Sequence, residues 1–432
     1  MGNYVDQSMN DKHAKPCSSM YPWLVWGLAA AFFFCEYFAR VAPGVMVPEL
    51  MKDFKVNALA LGGLSAFFYY AYVSMQVPVG ILVDRYGAHR LLTISTFIFG
   101  IGCILFGLAV NVYIAQLGRF LMGLSGAFAF VGSLKLASVW FPARRFGLLS
   151  GLTQALGMLG ASIGEAPMSI SVSVIGWRNT MLFIAIIFII LSFAIGFIVR
   201  DRPTNSSSNN THSLAAGNGI LAGLKEVLAN RQCWLNALYA GFVYAPTAAF
   251  AELWGVTFLV QTHHLDYHSA ALGVGLIFIG WGVGGPIIGW CSDIFMRRKP
   301  IMICSAATGL CLMSLILYAP LPKTLLFVLL FLYGISNTGV ATAYAVATEI
   351  NKRSVAGTSL AFANMASVIV GAAFQPIIGA FLEHHWKGEF MNGIPVYSAT
   401  DFRSAMLLLP LSMTLGLIIS FFVKETFCKA KE

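Results

Sequence analysis

Pro78-Val-Gly80-Ile-Leu-Val-Asp84-Arg85-Tyr86-Gly87-Ala-His89-Arg90 is a charged, glycine-marked turn set between two long apolar runs, 58–83 and 91–110. A helix needs about 20 mostly apolar residues to cross a bilayer, so the turn joins two membrane spans. Gly80 leaves room for another helix to approach, and Gly87 lets the chain reverse. Asp84 is an acid at a helix end, suited to face the positive N-terminus of a neighbouring helix. Arg85 and Arg90 stand at a membrane boundary and mark that side as cytoplasmic. The device returns close to half a chain later, as Gly285-Pro286-Ile-Ile-Gly289-Trp-Cys-Ser-Asp293-Ile-Phe-Met-Arg297-Arg298-Lys299. In both copies a glycine stands four residues before the acid, so the chain contains a repeat.

The first turn resembles the loop between helices 2 and 3 of the major facilitator superfamily, Gly-x-x-x-Asp-Arg-x-Gly-Arg-Arg. Positions 80, 84, 85 and 87 match, while Ala88 and His89 delay the final basic residue to Arg90. The resemblance covers nearly the whole chain. It implies an all-α membrane protein with twelve transmembrane helices in two six-helix bundles, related as a parallel repeat. It also implies a gating role for Gly80, Asp84, Arg85, Gly87, Arg90 and Asp293, with Asp84 at the N-terminus of helix 11 near Val355 and Arg85 and Arg90 bridging the bundles.

Composition agrees. Of 432 residues 58% are hydrophobic and 10% charged, against about 25% charged in soluble domains. The eight cysteines show no Cys-x-x-Cys spacing and read as small hydrophobes, with no metal site and no disulfide framework. Residues 1–20 are polar and lack a signal-peptide pattern, so the first apolar stretch is expected to remain as a span. Cys428 is too far from the end for prenylation. The net charge of +9 would suggest nucleic acid in a soluble domain; here it is explained by loops.

Twelve apolar stretches are long enough to span: 21–46, 58–83, 91–110, 112–139, 146–172 and 179–199, then 233–261, 270–290, 300–318, 324–348, 355–381 and 402–423. The expected organisation is a tail (1–20), an N-terminal bundle (21–199), a polar linker (200–232), a C-terminal bundle (233–423) and a second tail (424–432). The linker is rich in Ser and Asn, with a short surface helix expected over 219–229. With both ends inside, eighteen of the 27 Lys and Arg residues fall on the cytoplasmic side, six outside and three within helices. That bias orients the chain with both termini cytoplasmic, in the inner (plasma) membrane of a cell.

Ionisable groups at membrane depth are costly and serve function. They are Glu36, Arg40, Arg119, Lys135, Glu165 and Glu252. Lys135 lies near a helix end and can snorkel. Glu36 and Arg40 share one helix face and are expected to pair. Tyr37-Phe-Ala-Arg40-Val-Ala-Pro-Gly resembles the Tyr-x-x-Arg segment of helix 1 in the organic-anion and sugar-phosphate branches of the superfamily, where the arginine contacts the substrate anion. A guanidinium fork suits a carboxylate or phosphate. Arg40 is expected about 9 Å in from the outer end of helix 1. Glu252 falls near the repeat equivalent of Arg40, so the two are expected to face each other across a central cavity. Arg119 and Glu165 are expected to reach each other. Arg119-Phe-Leu-Met-Gly123 resembles the helix-4 Arg-x-x-x-Gly motif associated with proton coupling, which assigns Glu36, Arg119 and Glu165 as coupling candidates.

Further cavity candidates are Tyr70, Gln154, Trp254, Trp281 and Asn364, with Gln76, Tyr239, Tyr244 and Asn337 beside them. Gly151, Gly160 and Gly164 partly match the helix-5 signature of drug/proton antiporters, but Glu165 stands where its proline should be. The leading expectation is a proton-coupled secondary transporter importing a small organic anion or zwitterion, monomeric, driven by the proton gradient without a cofactor. A proton-driven exporter and a non-transporting membrane solute sensor are the alternatives. No enzyme constellation or nucleic-acid partner is expected.

Overall fold

A computed structural model describes residues 20–201, 218–352, 355–391 and 394–429. The chain is all-α, apart from a two-residue hairpin pairing Phe390–Met391 with Ile394–Pro395. Twelve helices are long and apolar enough to cross a membrane. Spans 1 to 4 are Tyr21–Arg40, Ala58–Tyr86, Ala88–Gly107 and Val112–Trp140. Span 5 starts as Phe146–Ile163, breaks at Gly164–Glu165 and resumes at Ala166. Its junction with span 6 is Gly176, at φ 80°, a left-handed turn open to glycine; span 6 is 177–198. Spans 7 to 12 are Arg231–His263, Tyr267–Phe295, Lys299–Tyr318, Lys323–Glu349, Ala356–His385 and Ala399–Phe422. The linker is described only in part, where a helix forms at Asn218–Ala229.

An even number of spans puts both ends on one side, here the tail face; the opposite side is the far face. Close approaches between the bundles lie toward the far face. A Cβ on Gly62 (span 2) would sit 2.6 Å from the Gln375 carbonyl oxygen (span 11), and one on Gly44 3.2 Å from the Glu252 carbonyl (span 7). Gly275 of span 8 meets Ser162 of span 5 in the same way, at 3.2 Å. The Ala58 N–H at the start of span 2 donates to the Glu383 carboxylate (3.2 Å) and the Tyr397 hydroxyl (3.1 Å), both from the other bundle. Toward the tail face the described glycines show no such approach between the bundles. A Cβ at Gly80, Gly285, Gly289 or Gly357 would meet nothing within 4 Å.

The turn at Asp84 is built as expected locally and engaged differently. Gly87 ends span 2 at φ 86°, and the Asp201 carboxylate accepts from the His89 N–H at 2.8 Å, capping span 3. Asp84 does not reach span 11. It is 55% exposed and paired with Lys135 of its own bundle at 2.7 Å, so Lys135 is bonded as well as snorkelled. Arg85 stacks on Tyr86 (5.4 Å) instead of bridging the bundles, and Arg90 is exposed. Val355 packs against Gly223 of the linker helix. Lys135 lies within the same bundle and takes the Asp84 carboxylate, while the close glycine approaches between the bundles lie at the far face. The side chain of Asp293 lies outside the described residues; the basic run after it is tied to the C-terminal tail. Glu425 accepts from the N–H groups of Arg298 (2.8 Å) and Lys299 (3.0 Å), and Arg298 pairs with Glu349 at 2.9 Å.

Candidate functional site

Span 1 ends at Arg40 because Pro43 follows, and the chain continues as a tight turn over Ala42–Val45 into a short helix, Val47–Phe54. Its last carbonyls have no partner within the helix. Arg119 supplies one, donating to the carbonyls of Ala39 (3.4 Å) and Arg40 (3.2 Å). A cation at a helix C-terminus also suits the helix dipole. The expected pairing of Arg119 with Glu165 is therefore not formed. Neither Glu165 carboxylate oxygen has a hydrogen-bond partner among the described residues. Span 5 breaks at Glu165, which turns it to another seam.

The expected pairing of Arg40 with Glu36 is formed. Arg40 Nη2 lies 2.6 Å and Nε 3.0 Å from Glu36 Oε1, one turn back on the same helix. Gly126 of span 4 makes room for Glu36, since a Cβ there would sit 3.1 Å from its Cγ. Glu36 Oε2 has no hydrogen-bond partner among the described residues. The guanidinium is enclosed by rings: Tyr37 at 4.1 Å, Tyr72 at 4.9 Å, Phe68 at 5.2 Å and Tyr69 at 5.9 Å. Phe68 and Tyr72 are the eleventh and fifteenth residues of span 2, roughly 15–21 Å from its far end. Arg40 thus lies near mid-depth, deeper than the ~9 Å estimated along a straight helix, because the turn at Pro43 adds chain beyond it.

Span 7 brings the opposite wall. Pro246 has no N–H for the Phe242 carbonyl, and the Ser412 hydroxyl takes that carbonyl instead. The next stretch, Thr247–Trp254, is wound as a π-helix, a distortion common at functional sites. It carries Glu252, buried, with Oε1 accepting from the Tyr244 hydroxyl at 2.9 Å and Oε2 unpartnered. Glu252 and Arg40 are within electrostatic reach, and so are Arg40, Tyr37, Tyr72 and Tyr244. Tyr344 joins this group, bonded to Ser367 at 2.9 Å. Asn364 donates to Gln76 across the bundles at 3.1 Å.

The remaining candidates divide. Trp281 is half-buried, edge-on to Tyr244 at 6.3 Å, its indole N–H unpartnered. Gln154 is half-buried on span 5. Trp254 does not line a cavity. It is buried and donates to the Gln375 carbonyl at 3.0 Å, tying span 7 to span 11. Tyr239 and Asn337 are also buried, bonded to the carbonyls of Met302 and Val243. Tyr70 is 44% exposed, because the helical turn puts its neighbours Tyr69 and Tyr72 on the arginine side. Sequence reading missed Tyr72, Tyr344 and Ser367. The face shared by Phe68 and Tyr72, four residues apart, was the available signal for the first.

A guanidinium held by one carboxylate oxygen and bordered by tyrosine rings has the chemistry to pair with a ligand anion in its place. Glu252 offers a negative group on the other bundle. The model of the Major Facilitator Superfamily matches residues 29–376. The chain belongs to the major facilitator superfamily. Among its relatives are the uncharacterized transporter YybO of Bacillus subtilis, 24% identical over 83% of this chain and 87% of the relative, and the probable sulfoacetate transporter SauU of Cupriavidus necator, 24% identical over 64% and 66%. The membrane sensor protein UhpC of Escherichia coli is 25% identical over 87% and 88%. A solved structure of a bacterial homologue of the human lysosomal transporter Spinster, inward-facing and unoccupied, superposes with TM-score 0.79 at 15% identity, covering 94% of this chain and 97% of that one. The superfamily fold accounts for the two bundles.

Proposed function

We propose that this member of the superfamily imports a small organic anion or zwitterion with a proton, by rocking two bundles around the Arg40 site. The observation that carries the reading is Arg40 near mid-depth, with Glu36 as its carboxylate partner in a tyrosine-lined space. A ligand carboxylate, sulfonate or phosphate takes the place of Glu36 on the guanidinium fork. Glu36, released, and Glu252 are then the carboxylates placed to hold a proton or to face a ligand ammonium group. SauU, whose name refers to a sulfonate-bearing anion, supports the anion class. The lysine and arginine bias supports a cytoplasmic tail face in a bacterial inner membrane, so the conformation described opens inward. The monomer suffices for this cycle.

The test is uptake by proteoliposomes of radiolabelled carboxylates, sulfonates, sugar acids and amino acids under an imposed pH gradient. Accumulation that collapses with a protonophore is expected. Accumulation only on the opposite gradient supports export. A second reading, a membrane sensor, is favoured by UhpC matching over 88% of its length; it predicts binding in detergent with no uptake under either gradient.

A further inference from the structure

Glu165 sits where span 5 breaks, at φ −92° and ψ −83°. It is fully buried, and neither carboxylate oxygen has a hydrogen-bond partner among the described residues. The break lies in the far-face seam between the bundles. A Cβ on Gly164 would meet the Phe38 carbonyl of span 1 at 2.7 Å, and one on Gly275 of span 8 would meet the Glu165 Cβ at 3.6 Å. Two more unpartnered buried oxygens stand there: the Tyr267 hydroxyl and Oε2 of Glu49. Glu49 and Glu165 are the charged groups within electrostatic reach of Tyr267. The other titratable group on the span 8 side is His268, bonded to Ser169 at 3.3 Å. From span 1, Glu36 and Arg40 bond each other, and Arg119 of span 4 bonds span 1 carbonyls.

We propose that Glu165 is a proton-binding site of the far gate, separate from the Arg40 site, and that the gate closes around its neutral form. An ionised carboxylate shut into this seam without a donor is far more costly than the neutral acid in the same place. While the seam is open the carboxylate meets far-side water and takes a proton from it. On reopening it returns the proton to the same side. The closed state therefore binds one more proton than the open state, and acid on the far side favours closure. The inference rests on the alternating-access reading but not on the identity of the coupling proton.

The experiment places a reporter cysteine at Ser169→Cys in the full chain with its native cysteines replaced. Its labelling by an impermeant maleimide from the far side is followed between pH 5 and 8, with each rate normalised to that of the unfolded chain at the same pH. Labelling is expected to rise with pH, by at most about tenfold per unit for one linked proton. In Glu165→Gln it should be slow and flat, whereas in His268→Gln it should keep its slope. A wild-type slope in Glu165→Gln, or labelling that follows sodium instead of pH, overturns the proposal. Uptake under a proton gradient in the same vesicles separates the two ideas: acid-driven accumulation with an unchanged slope sinks only the gate site. A slope abolished by Glu165→Gln without acid-driven accumulation sinks only proton-coupled import.

Discussion

At the scale of single residues, the proposed function rests on Arg40. Arg40→Lys keeps the charge and loses the planar fork, and Arg40→Ala loses both. Hydrogen bonds to charged groups are worth about 1.5–3 kcal/mol, so binding of the transported anion by purified Arg40→Ala should weaken roughly 10- to 100-fold, with Arg40→Lys between. Wild-type affinity in a folded Arg40→Ala would remove the anion site. The pairing of Arg40 with Glu36 was legible because residues four apart share a helix face. The partner of Arg119 was not. Its target is the end of span 1, and backbone carbonyls leave no mark in the residue pattern. Tyr70 was mistaken for Tyr72 because a run of aromatics fixes no helix phase by itself.

Among elements, the spans could be read from apolar length alone, since a bilayer demands that length, with ends off by up to six residues, as at span 1, which stops at Arg40 and not at 46. Their breaks were harder. Pro43 and Pro246 announced distortion, but the π-turns over Thr247–Trp254 and the break at Glu165 depend on which carbonyls neighbouring spans can satisfy. The C-terminal tail is a further element fixed by backbone groups. Burial disfavours the charge of Glu425, yet the N–H groups of Arg298, Phe427, Lys299 and Thr426 together hold its carboxyl below its ordinary value. A lowered folded value means that the docking is fully stabilised above pH ~4.3, the ordinary glutamate value, and is lost as pH falls through the lower folded one. Hydrogen-exchange protection of the Arg298 and Lys299 amides should therefore hold from pH 7 to about 5 and decline only below ~4. In Glu425→Gln it should be weak at every pH.

For the whole molecule, the repeat of the Asp84 turn was enough to give two bundles, while the conformation they adopt is a balance between contacts at two faces. Gly379 is placed so that a Cβ would meet the Ala58 carbonyl carbon at 2.7 Å, a backbone atom that cannot swing aside. Overpacking of this kind costs about 1–3 kcal/mol, so Gly379→Ala should raise the far-open to far-closed ratio roughly 5- to 100-fold. Spin-label distances across the far face would show it. We expect Asp84→Asn to act in the opposite sense, because its proposed partner, the start of span 11, is engaged only when the tail face closes. Equal distance distributions in both variants and wild type would refute this two-ended balance.

Glu36, Arg40, Arg119 and Glu252, two acids and two bases, are all buried. In their ordinary ionised forms they sum to zero. A unit charge carried through the full membrane potential changes in energy by about 2.3 kcal/mol per 100 mV. When the cavity opens to one side, that voltage falls across the sealed half, so groups that hardly move are still shifted in electrical position. In the proposed cycle, an empty carrier with all four groups ionised would return with no net charge from this quartet. In that cycle voltage would act through the charge of what is carried, the coupled proton included.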